Sequence, residues 1–584
     1  MKKENKITSI TLAHINDTHS YFEPTSLQLT LNLNGQVLTP FVSAGGFARI
    51  ATRVEQLRSD AQRMQRAFFL VHAGDCFQGT LYFSLFKGSA NAEMLNALGL
   101  DAMTLGNHEL DMGNDPVAQF AQRINFPLLA GNWDLSQERT DKSYRLANNP
   151  QVHAYDPNKQ CAHWIVKTAQ DSQVAIFGLS IDKMEEIANP DSDTPFVNAL
   201  QTAKNTVQQI RTAGINKIIL VSHLGYEADK ELAEQVDGIS VIVGGHSHVL
   251  QGDFSQLGLS SQESYGQRIN QTYVVQAGLY ALALGHCHID FDENGQVVKF
   301  TGRNELLLGR RLFLDASMSE AGNDATYLEA CELVNNHPYV VVCKKHPDVQ
   351  AILHNNYIPK VRQLQQQVIA HAGRPLRHVR VPDQQGPSEL APLVAKAFMH
   401  VMHKRGYPVQ FAIHNAGGVR TSLAAGPVSV ADIAGKLLPF AVPIGVYRIR
   451  GKSLAKALEG AINNALNNGV VGTGEGSYPY THHLRFEYLP DNPLGQRISQ
   501  LQILLNDQWQ PVLAEQEYLG TSSAYTMKGK EGYQGLTEMK GEGQVTTISM
   551  ADALIELLQD DPHLFNEFNE SKIAPAYQGH GEPS

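Results

Sequence analysis

Three neighbouring residues, Asn107, His108 and Asp111, form the most specific pattern in the sequence. An asparagine side-chain oxygen can bind a metal ion without adding charge, and it is an unusual ligand. The adjacent histidine can exchange a proton at a reacting group. Asp111, three residues beyond His108, can fix the histidine tautomer and stabilise its cationic form from a turn or helix. The spacing indicates a metal ligand beside a His–Asp dyad; the alternative for Asp111 is a carboxylate that complements a helix N-terminus.

Four further clusters of polar residues follow short apolar runs. They are Asn16-Asp17-Thr18-His19, Gly74-Asp75, His223, and Gly244-Gly245-His246-Ser247-His248. Each cluster alone has a structural explanation, such as a surface Asp-x-His, a satisfied core histidine or an exposed turn. Together with Asn107 they provide the roughly six to eight oxygen and nitrogen ligands that two divalent metal ions require. Such a centre lowers the pKa of a bound water and supplies hydroxide for attack on a phosphoryl group.

The elements that must position these clusters are short strands. The first 300 or so residues alternate apolar runs with helical patterns, which predicts a layered α/β domain. The candidate strands are Ile10–Ile15, Ala67–His72, Ala175–Leu179, Lys217–Ser222, Val241–Val243 and Thr272–Gln276. Because ligands in α/β sheets bind beyond the carboxyl ends of the strands, we expect the polar clusters to converge there.

The chain of 584 residues is too long for one hydrophobic core, so two or three domains are expected. We expect a catalytic domain over residues 1–314, a linking segment over 315–374 with a helix at Tyr357–Ile369, and a second α/β domain over 375–584. In the second domain the patterns predict helices at Ser388–Arg405 and Ser453–Leu466, and strands at Val409–Ile413, Tyr480–Phe486 and Arg497–Leu505.

Composition excludes several other classes of protein. The formal net charge of −11 argues against a general nucleic-acid binder, and no run approaches the roughly 18 apolar residues of a membrane span. The five cysteines lack CxxC spacing, so we expect mostly reduced thiols, with one incidental disulfide as the alternative. No signal peptide is visible, which predicts a cytoplasmic protein, or a periplasmic one if a leader has been trimmed.

The clusters together resemble the signature of the calcineurin-like metallophosphoesterases. Three further segments are similar to the 5′-nucleotidase family, which includes bifunctional UDP-sugar hydrolases and 2′,3′-cyclic-nucleotide phosphodiesterases: Gly45-Gly46-Phe-Ala-Arg49, Asp75-Cys-Phe-Gln-Gly-Thr80 and Glu109-Leu-Asp111. The resemblance implies a four-layer α/β/β/α catalytic domain, a linker helix and a C-terminal α/β substrate-binding domain. It also implies two metal ions, for which Zn, Mn, Mg, Co and Fe all suit the ligands.

The resemblance divides the ligands between the two ions. One ion would be held by Asp17, His19, Asp75 and His248, and the other by Asp75, Asn107, His223 and His246. Asp75 would bridge them, and His108 with Asp111 would act at the phosphate. Ser20 stands where the family usually has glycine, which affects the loop rather than a ligand.

In the family, the C-terminal domain binds the nucleoside and its closure brings the substrate to the metals. The positions here that match that site are Asn415, Arg420, Phe440, Tyr525 and Glu531. Arg420 would clamp a phosphate or carboxylate, Phe440 and Tyr525 would stack on the base, and Glu531 would accept from ribose hydroxyls. Ser388-Glu-Leu390 and Tyr480–Leu484 depart from the family pattern, and Arg380 is a weak candidate for the remaining substrate arginine.

We therefore expect a metal-dependent phosphomonoesterase that releases phosphate from nucleotides, most simply from nucleoside 5′-monophosphates. The alternatives share the metal centre but cleave a cyclic-nucleotide diester, a nucleotide-sugar pyrophosphate or a thiosulfate ester. A different class of protein, an inactive nucleotide-binding protein, would be expected to lack ligands or the dyad, and the sequence retains all of them.

Overall fold

The computed structural model of the chain describes residues 7–259, 263–315, 317–440, 442–541 and 543–565. The chain forms two compact units, residues 1–359 and 360–584. Within the described ranges, no helix combines the length and the apolar character needed to cross a membrane. All five cysteines are free thiols.

Ten strands form the first sheet of unit 1. In order across the sheet they are Thr25–Gln28, Phe41–Ala44, Val297–Phe313, Ala283–Phe291, Thr8–Ile15, Ala67–His72, Ala102–Thr104, Leu128–Leu129 and Val152–His153, with Val340–Val342 paired to Val297–Phe313. Thr8–Ile15 and Ala67–His72 are parallel, and Ile15 lies opposite His72 in the register. The loops that begin at Asn16 and Ala73 therefore leave the same edge of the sheet.

Six strands form the second sheet of unit 1. Their order is Ile165–Ala169, Ser172–Ser180, Ile218–His223, Val241–Val243, Thr272–Val275 and Gln267–Ile269. The four central strands run parallel, with Ser180 opposite His223 and Val221 opposite Val243. His223 and the glycine pair Gly244-Gly245 consequently lie at one edge of this sheet. This is the position predicted for polar clusters at the carboxyl ends of the strands.

The two sheets of unit 1 pack face to face through a buried apolar cluster that includes Leu12 and Val71 from the first sheet and Ile219 and Val243 from the second. A second cluster joins the outer face of the second sheet to two helices through residues such as Ile210 and Leu232. The helices of unit 1 are Phe47–Arg63, Leu81–Phe86, Ser89–Leu98, Asn114–Ala121, Met184–Ile187, Ala199–Thr212, Tyr226–Gln235, Ala325–Asn335 and Pro347–Ile352. Since Phe47–Arg63 packs on the first sheet, the unit has α/β/β/α layers, which confirms the predicted fold class.

Unit 2 is a mixed α/β body. Its largest sheet has the order Pro479–His482, Phe411–Asn415, Glu517–Ser523, Pro443–Arg450 and Gln544–Ser549. Two smaller sheets comprise Leu484–Tyr488, Ile498–Leu505 and Gln508–Pro511, and Val368–Ala372 with Gly426–Ser429. Its α-helices are Ala391–Lys404, Gly451–Leu466, Ala524–Met527 and Met550–Asp560, and Asp432–Leu437 forms a π-helical turn.

Three element predictions need correction. The helix expected at Tyr357–Ile369 is observed at Ile358–Gln366, and the β-branched pair Val368-Ile369 begins a strand instead. The helix expected from Ser388 begins at Ala391, because the Ser388 hydroxyl accepts the Ala391 N–H. The single strand expected at Tyr480–Phe486 is wrong: His483 has φ of 61°, and the residues on its two sides pair in different sheets.

Candidate metal centre and substrate pocket

Six of the predicted metal ligands form two compact groups in unit 1. One group contains Asp17, His19 and His248, and the other contains Asp75, His223 and His246. Within each group the potential ligand atoms lie within 4.8 Å of one another. The seventh predicted ligand, Asn107, joins the second group, with Oδ1 3.0 Å from His246 Nδ1 and 3.3 Å from His223 Nε2.

The donor atoms of both groups suit a divalent cation. The Nε2 atom of His248 lies 3.4 Å from His19 Nε2 and 3.4 Å from Asp17 Oδ1. In the second group His223 Nε2 lies 3.2 Å from Asp75 Oδ2. Imidazole nitrogens and carboxylate or amide oxygens that converge in this way match the ligand chemistry of Zn, Mn and related ions.

Backbone carbonyl groups fix the orientation of two of these imidazoles. His223 Nδ1 lies 2.6 Å from the Ala73 carbonyl oxygen, and His19 Nδ1 lies 3.1 Å from that of Phe77. A carbonyl oxygen only accepts, so each Nδ1 must carry the proton. In the neutral form of each ring, Nε2 keeps a lone pair for a metal ion, which is the usual arrangement of a metal-binding histidine.

The pKa values of three of these imidazoles are shifted in different directions. Burial lowers the pKa of His19 to about 4, against the opposing influence of Asp75. Burial and the neighbouring His223 lower the pKa of His246 to about 4. Burial also acts to lower the pKa of His223, but Asp75 outweighs it and raises that pKa to about 9. His19 and His246 are therefore neutral near pH 7, which is the form that binds metals.

The backbone at the ligands is strained. Five ligand residues have left-handed φ values: Asp17 at 48°, His19 at 46°, Asp75 at 59°, His246 at 74° and His248 at 59°. Non-glycine residues rarely adopt this region and cluster at functional sites when they do. Gly106 shows how tightly the loops approach, because a Cβ there would lie 2.2 Å from Asp75 Oδ1.

The predicted dyad is also present in the fold. His108 Nδ1 lies 2.7 Å from Asp111 Oδ2, and the His108 ring centroid is 5.2 Å from that of His19. Burial acts to lower the pKa of His108, but Asp111 and Asp75 outweigh it and raise the pKa to about 10. Asp111 ends a 3-10 turn at His108–Leu110 and the next helix begins only at Asn114, so Asp111 lies outside the first turn of that helix.

Unit 2 contains a cavity of about 310 Å³ that is lined by all five predicted substrate-binding residues, Asn415, Arg420, Phe440, Tyr525 and Glu531. Arg380, the weak candidate from the sequence, lines it as well. The Arg420 guanidinium carbon lies 5.7 Å from the centre of the Phe440 ring, and its Nη1 donates to the Gly417 carbonyl oxygen at 3.2 Å. Positive charge and aromatic surface therefore occur together in one cavity.

An acidic group completes the cavity. Glu531 has φ of 51°, and its Oε2 atom is buried without a hydrogen-bond partner in the described part of the chain. Burial raises the pKa of Glu531, and burial together with Glu531 raises the pKa of the Tyr525 hydroxyl. The cavity can therefore offer an acceptor to ligand hydroxyl groups beside its two arginines.

Sequence reasoning missed two groups of residues that the site uses. Thr473, Gly474 and Gly476 line the cavity of unit 2, and the two glycines were the signal that could have indicated close approach to a ligand. Glu109 was quoted only as part of a motif, but its carboxylate contacts the loops that carry Asp75 and Asn107. Local sequence contains no signal for the contact with Asp75, because Asp75 lies 34 positions away.

Comparison with known proteins gives two family matches. Residues 10–250 match the calcineurin-like phosphoesterases, and residues 368–538 match the 5′-nucleotidase C-terminal domain. The chain is 29% identical over 591 residues to a probable 5′-nucleotidase of Treponema pallidum, covering 97% of this chain and 94% of the relative. It is 28% identical over 593 residues to the NAD 5′-nucleotidase of Haemophilus influenzae, covering 97% and 93%.

Solved structures agree with these matches. A 5′-nucleotidase precursor from Thermus thermophilus superposes with a TM-score of 0.65 at 27% identity. The match covers 98% of this chain and 100% of that one. The Haemophilus influenzae NAD nucleotidase gives 0.63 at 27% identity, covering 95% and 97%. The likeness extends over both units of the chain.

Proposed function

We propose that this chain, which belongs to the 5′-nucleotidase family of metal-dependent phosphoric ester hydrolases, releases phosphate from nucleoside 5′-monophosphates at a centre of two divalent metal ions. Its calcineurin-like phosphoesterase domain is followed by a 5′-nucleotidase C-terminal domain. The observation that carries this proposal is the convergence of Asp17, His19 and His248 beside Asp75, His223 and His246. Asn107 adds an uncharged oxygen to the second group.

The chemistry of the proposed centre is divided between metals and protein. Two divalent cations held by these residues would supply a hydroxide nucleophile near neutral pH and would offset the charge of the phosphoryl oxygens. His108 stabilises the negative charge that develops at the phosphate and on the leaving oxygen. Asp111 accepts from His108 Nδ1 at 2.7 Å, which fixes the tautomer of the ring and stabilises the imidazolium form.

The cavity of unit 2 supports a nucleotide as the substrate. Arg420 and Arg380 suit an anionic group. Phe440 and Tyr525 provide aromatic faces of the kind that stack on a nucleobase. The unpartnered Glu531 oxygen suits the hydroxyls of a ribose. A cavity of about 310 Å³ is in the range of small-ligand sites.

A second candidate reaction uses the same centre on a dinucleotide or nucleotide-sugar pyrophosphate. It is favoured by the similarity to a protein named NAD 5′-nucleotidase along 97% of this chain. A cyclic-nucleotide diester would need the same ligands and dyad. An inactive nucleotide-binding protein is disfavoured, because the fold brings together every predicted ligand and both members of the dyad.

The test is phosphate release from nucleoside monophosphates, cyclic nucleotides and nucleotide sugars, with and without a chelator. A His108→Ala variant is measured in parallel. We expect chelator-sensitive turnover of 5′-monophosphates and a large loss in the variant. Turnover that is unchanged by the chelator would overturn the proposed metal centre. Turnover of a non-nucleotide phosphate alone would leave the metal centre intact and would exclude a nucleotide as the substrate.

A further inference from the structure

Glu109 places a buried carboxylate between the two loops that carry Asp75 and Asn107. The residue is 1% exposed. Its Oε2 atom accepts the backbone N–H groups of Asp75 at 3.0 Å and of Gly106 at 2.7 Å. Its Oε1 atom accepts those of Cys76 at 2.7 Å and of Phe77 at 3.0 Å. One side chain thus receives four backbone donors, three from the Asp75 loop and one from the Asn107 loop.

These contacts hold a strained segment in place. Asp75 has φ of 59°, a conformation that costs about 1–3 kcal/mol and persists only when the surroundings fix it. The two loops also meet directly, because His108 N–H donates to Asp75 Oδ1 at 2.9 Å. The Asp75 carboxylate and the Asn107 amide are therefore set relative to each other by backbone contacts, of which Glu109 makes four.

We propose that Glu109 is a positioning residue. Its carboxylate accepts backbone N–H groups from both loops and thereby fixes Asp75 relative to Asn107 and His108. The proposal rests on the two-metal centre proposed above and concerns how it is held together. Glu109 does not contribute a ligand in this role. Its effect reaches the ions through Asp75, the residue expected to bridge them.

The chemistry of the contacts requires a carboxylate. All four partners are N–H donors, so both oxygens must accept and neither can usefully carry a proton. Glutamine has the same shape but would turn an NH₂ group toward two of these donors. Aspartate keeps both acceptors but is one methylene shorter. The expected order of function is therefore glutamate, then aspartate, then glutamine.

Glu138 offers a matched control in the same unit. It is 4% exposed, and its carboxylate accepts the backbone N–H groups of Leu146 and Ala147, at 3.0 and 2.8 Å from Oε2. Glu138→Gln therefore neutralises another buried carboxylate that accepts backbone N–H groups, without touching the Asp75 or Asn107 loops. A purely structural role for Glu109 predicts that the Glu109→Gln and Glu138→Gln variants behave alike.

The test measures Mn²⁺ binding by titration calorimetry and the kcat and KM for adenosine 5′-monophosphate, on the full chain. For Glu109→Gln we expect Mn²⁺ affinity and kcat to fall about 10- to 100-fold, the range found when partners of metal ligands are removed. KM should change little. The Mn²⁺ affinity and kcat of Glu109→Asp should lie between those of Glu109→Gln and wild type. Glu138→Gln should leave Mn²⁺ affinity and kcat unchanged.

The outcomes separate the two proposals. Mn²⁺ affinity and kcat in Glu109→Gln equal to those in Glu138→Gln would overturn the role of Glu109 while the metal centre stands. Failure of the wild-type chain to bind Mn²⁺ would overturn the centre itself. If Glu109→Gln does not fold, Glu109→Asp decides: the same Mn²⁺ affinity and kcat as wild type would overturn the positioning role, and a selective loss of both would support it.

Discussion

The imidazole Nδ1 of His108 lies 2.7 Å from a carboxylate oxygen of Asp111, within a turn that directly follows Asn107. The contact assigns the Nδ1 proton to the Asp111 side and leaves Nε2 as the ring nitrogen proposed to face the substrate. It joins two residues three positions apart, so one short segment carries a predicted metal ligand, the imidazole proposed to act at the phosphate, and the carboxylate that contacts this imidazole.

His108→Ala should lower kcat for nucleotide hydrolysis by about 10²- to 10⁴-fold, the usual contribution of a positioned acid or base. Asp111→Asn should cause a smaller loss, since the imidazole remains but its charged partner is gone. Steady-state kinetics on adenosine 5′-monophosphate, with metal content measured in parallel, test this. A His108→Ala variant that kept full kcat with two bound ions would contradict the dyad.

Chelation should abolish activity, and divalent ions should restore it. The groups around His19 and His223 each provide at least three ligand atoms, so titration of the stripped chain should reach two ions per chain. His223→Ala should weaken one of the two sites, because the Asp75 and Asn107 oxygens lose their shared imidazole partner. A stoichiometry of one ion in the fully active wild type would contradict the assignment.

Arg420→Ala should raise KM for nucleotides by about tenfold or more while kcat changes little, because it removes binding that is equal in the ground and transition states. Its guanidinium group faces the same cavity as Phe440 and Tyr525. Arg450→Ala is the control, since Arg450 is exposed and its charged partner is Glu515. A fall in kcat at unchanged KM would place Arg420 in the reaction instead.

Glu305→Gln should lower the free energy of unfolding by about 3 kcal/mol near pH 7, since breaking a buried ion pair leaves a charge without its partner. Glu305 accepts two contacts from Arg53, at 2.5 and 2.9 Å, and lies 3.1 Å from His286 Nε2. Burial acts to raise the pKa of Glu305, but His286 and Arg53 outweigh it and hold that pKa well below its usual range.

The sign of the pH dependence follows from that lowered pKa. The stabilisation is complete above about pH 4.5, the unfolded pKa, and is lost as pH falls through the lower folded pKa. The difference in thermal unfolding between wild type and Glu305→Gln should therefore be constant from pH 7 to about pH 5 and should narrow from there to pH 3. Glu329→Gln, at an exposed position, serves as the control. A difference that grew below pH 4.5 would contradict the buried pair.

The fold of unit 1 and the grouping of its candidate metal ligands could be predicted because the signals are local. Asp17 and His246 come shortly after buried strands and His223 ends one, and parallel strands bring such residues to one edge. The dyad was visible for the same reason. The contacts of Glu109 and Glu305 were not predictable, since their partners lie 32 to 252 positions away in most cases and nothing in the intervening sequence marks them.

Unit 2 was less accessible to prediction. The strand expected at Tyr480–Phe486 is divided because His483 adopts φ of 61°, a backbone choice that periodicity of side chains does not reveal. Arg380 gave only a weak signal, yet it lies in the cavity with Arg420. Cavities form from loops, and loop conformations depend on contacts that a single sequence does not encode locally.

The left-handed backbone at Asp17, His19, Asp75, His246 and His248 has a consequence for laboratory evolution. Each such residue costs about 1–3 kcal/mol, and glycine or asparagine would relieve part of that cost. A library selected for heat resistance alone, without any requirement for turnover, should therefore accumulate glycine and asparagine at these five positions early. A library selected for turnover should gain its heat resistance elsewhere in the chain.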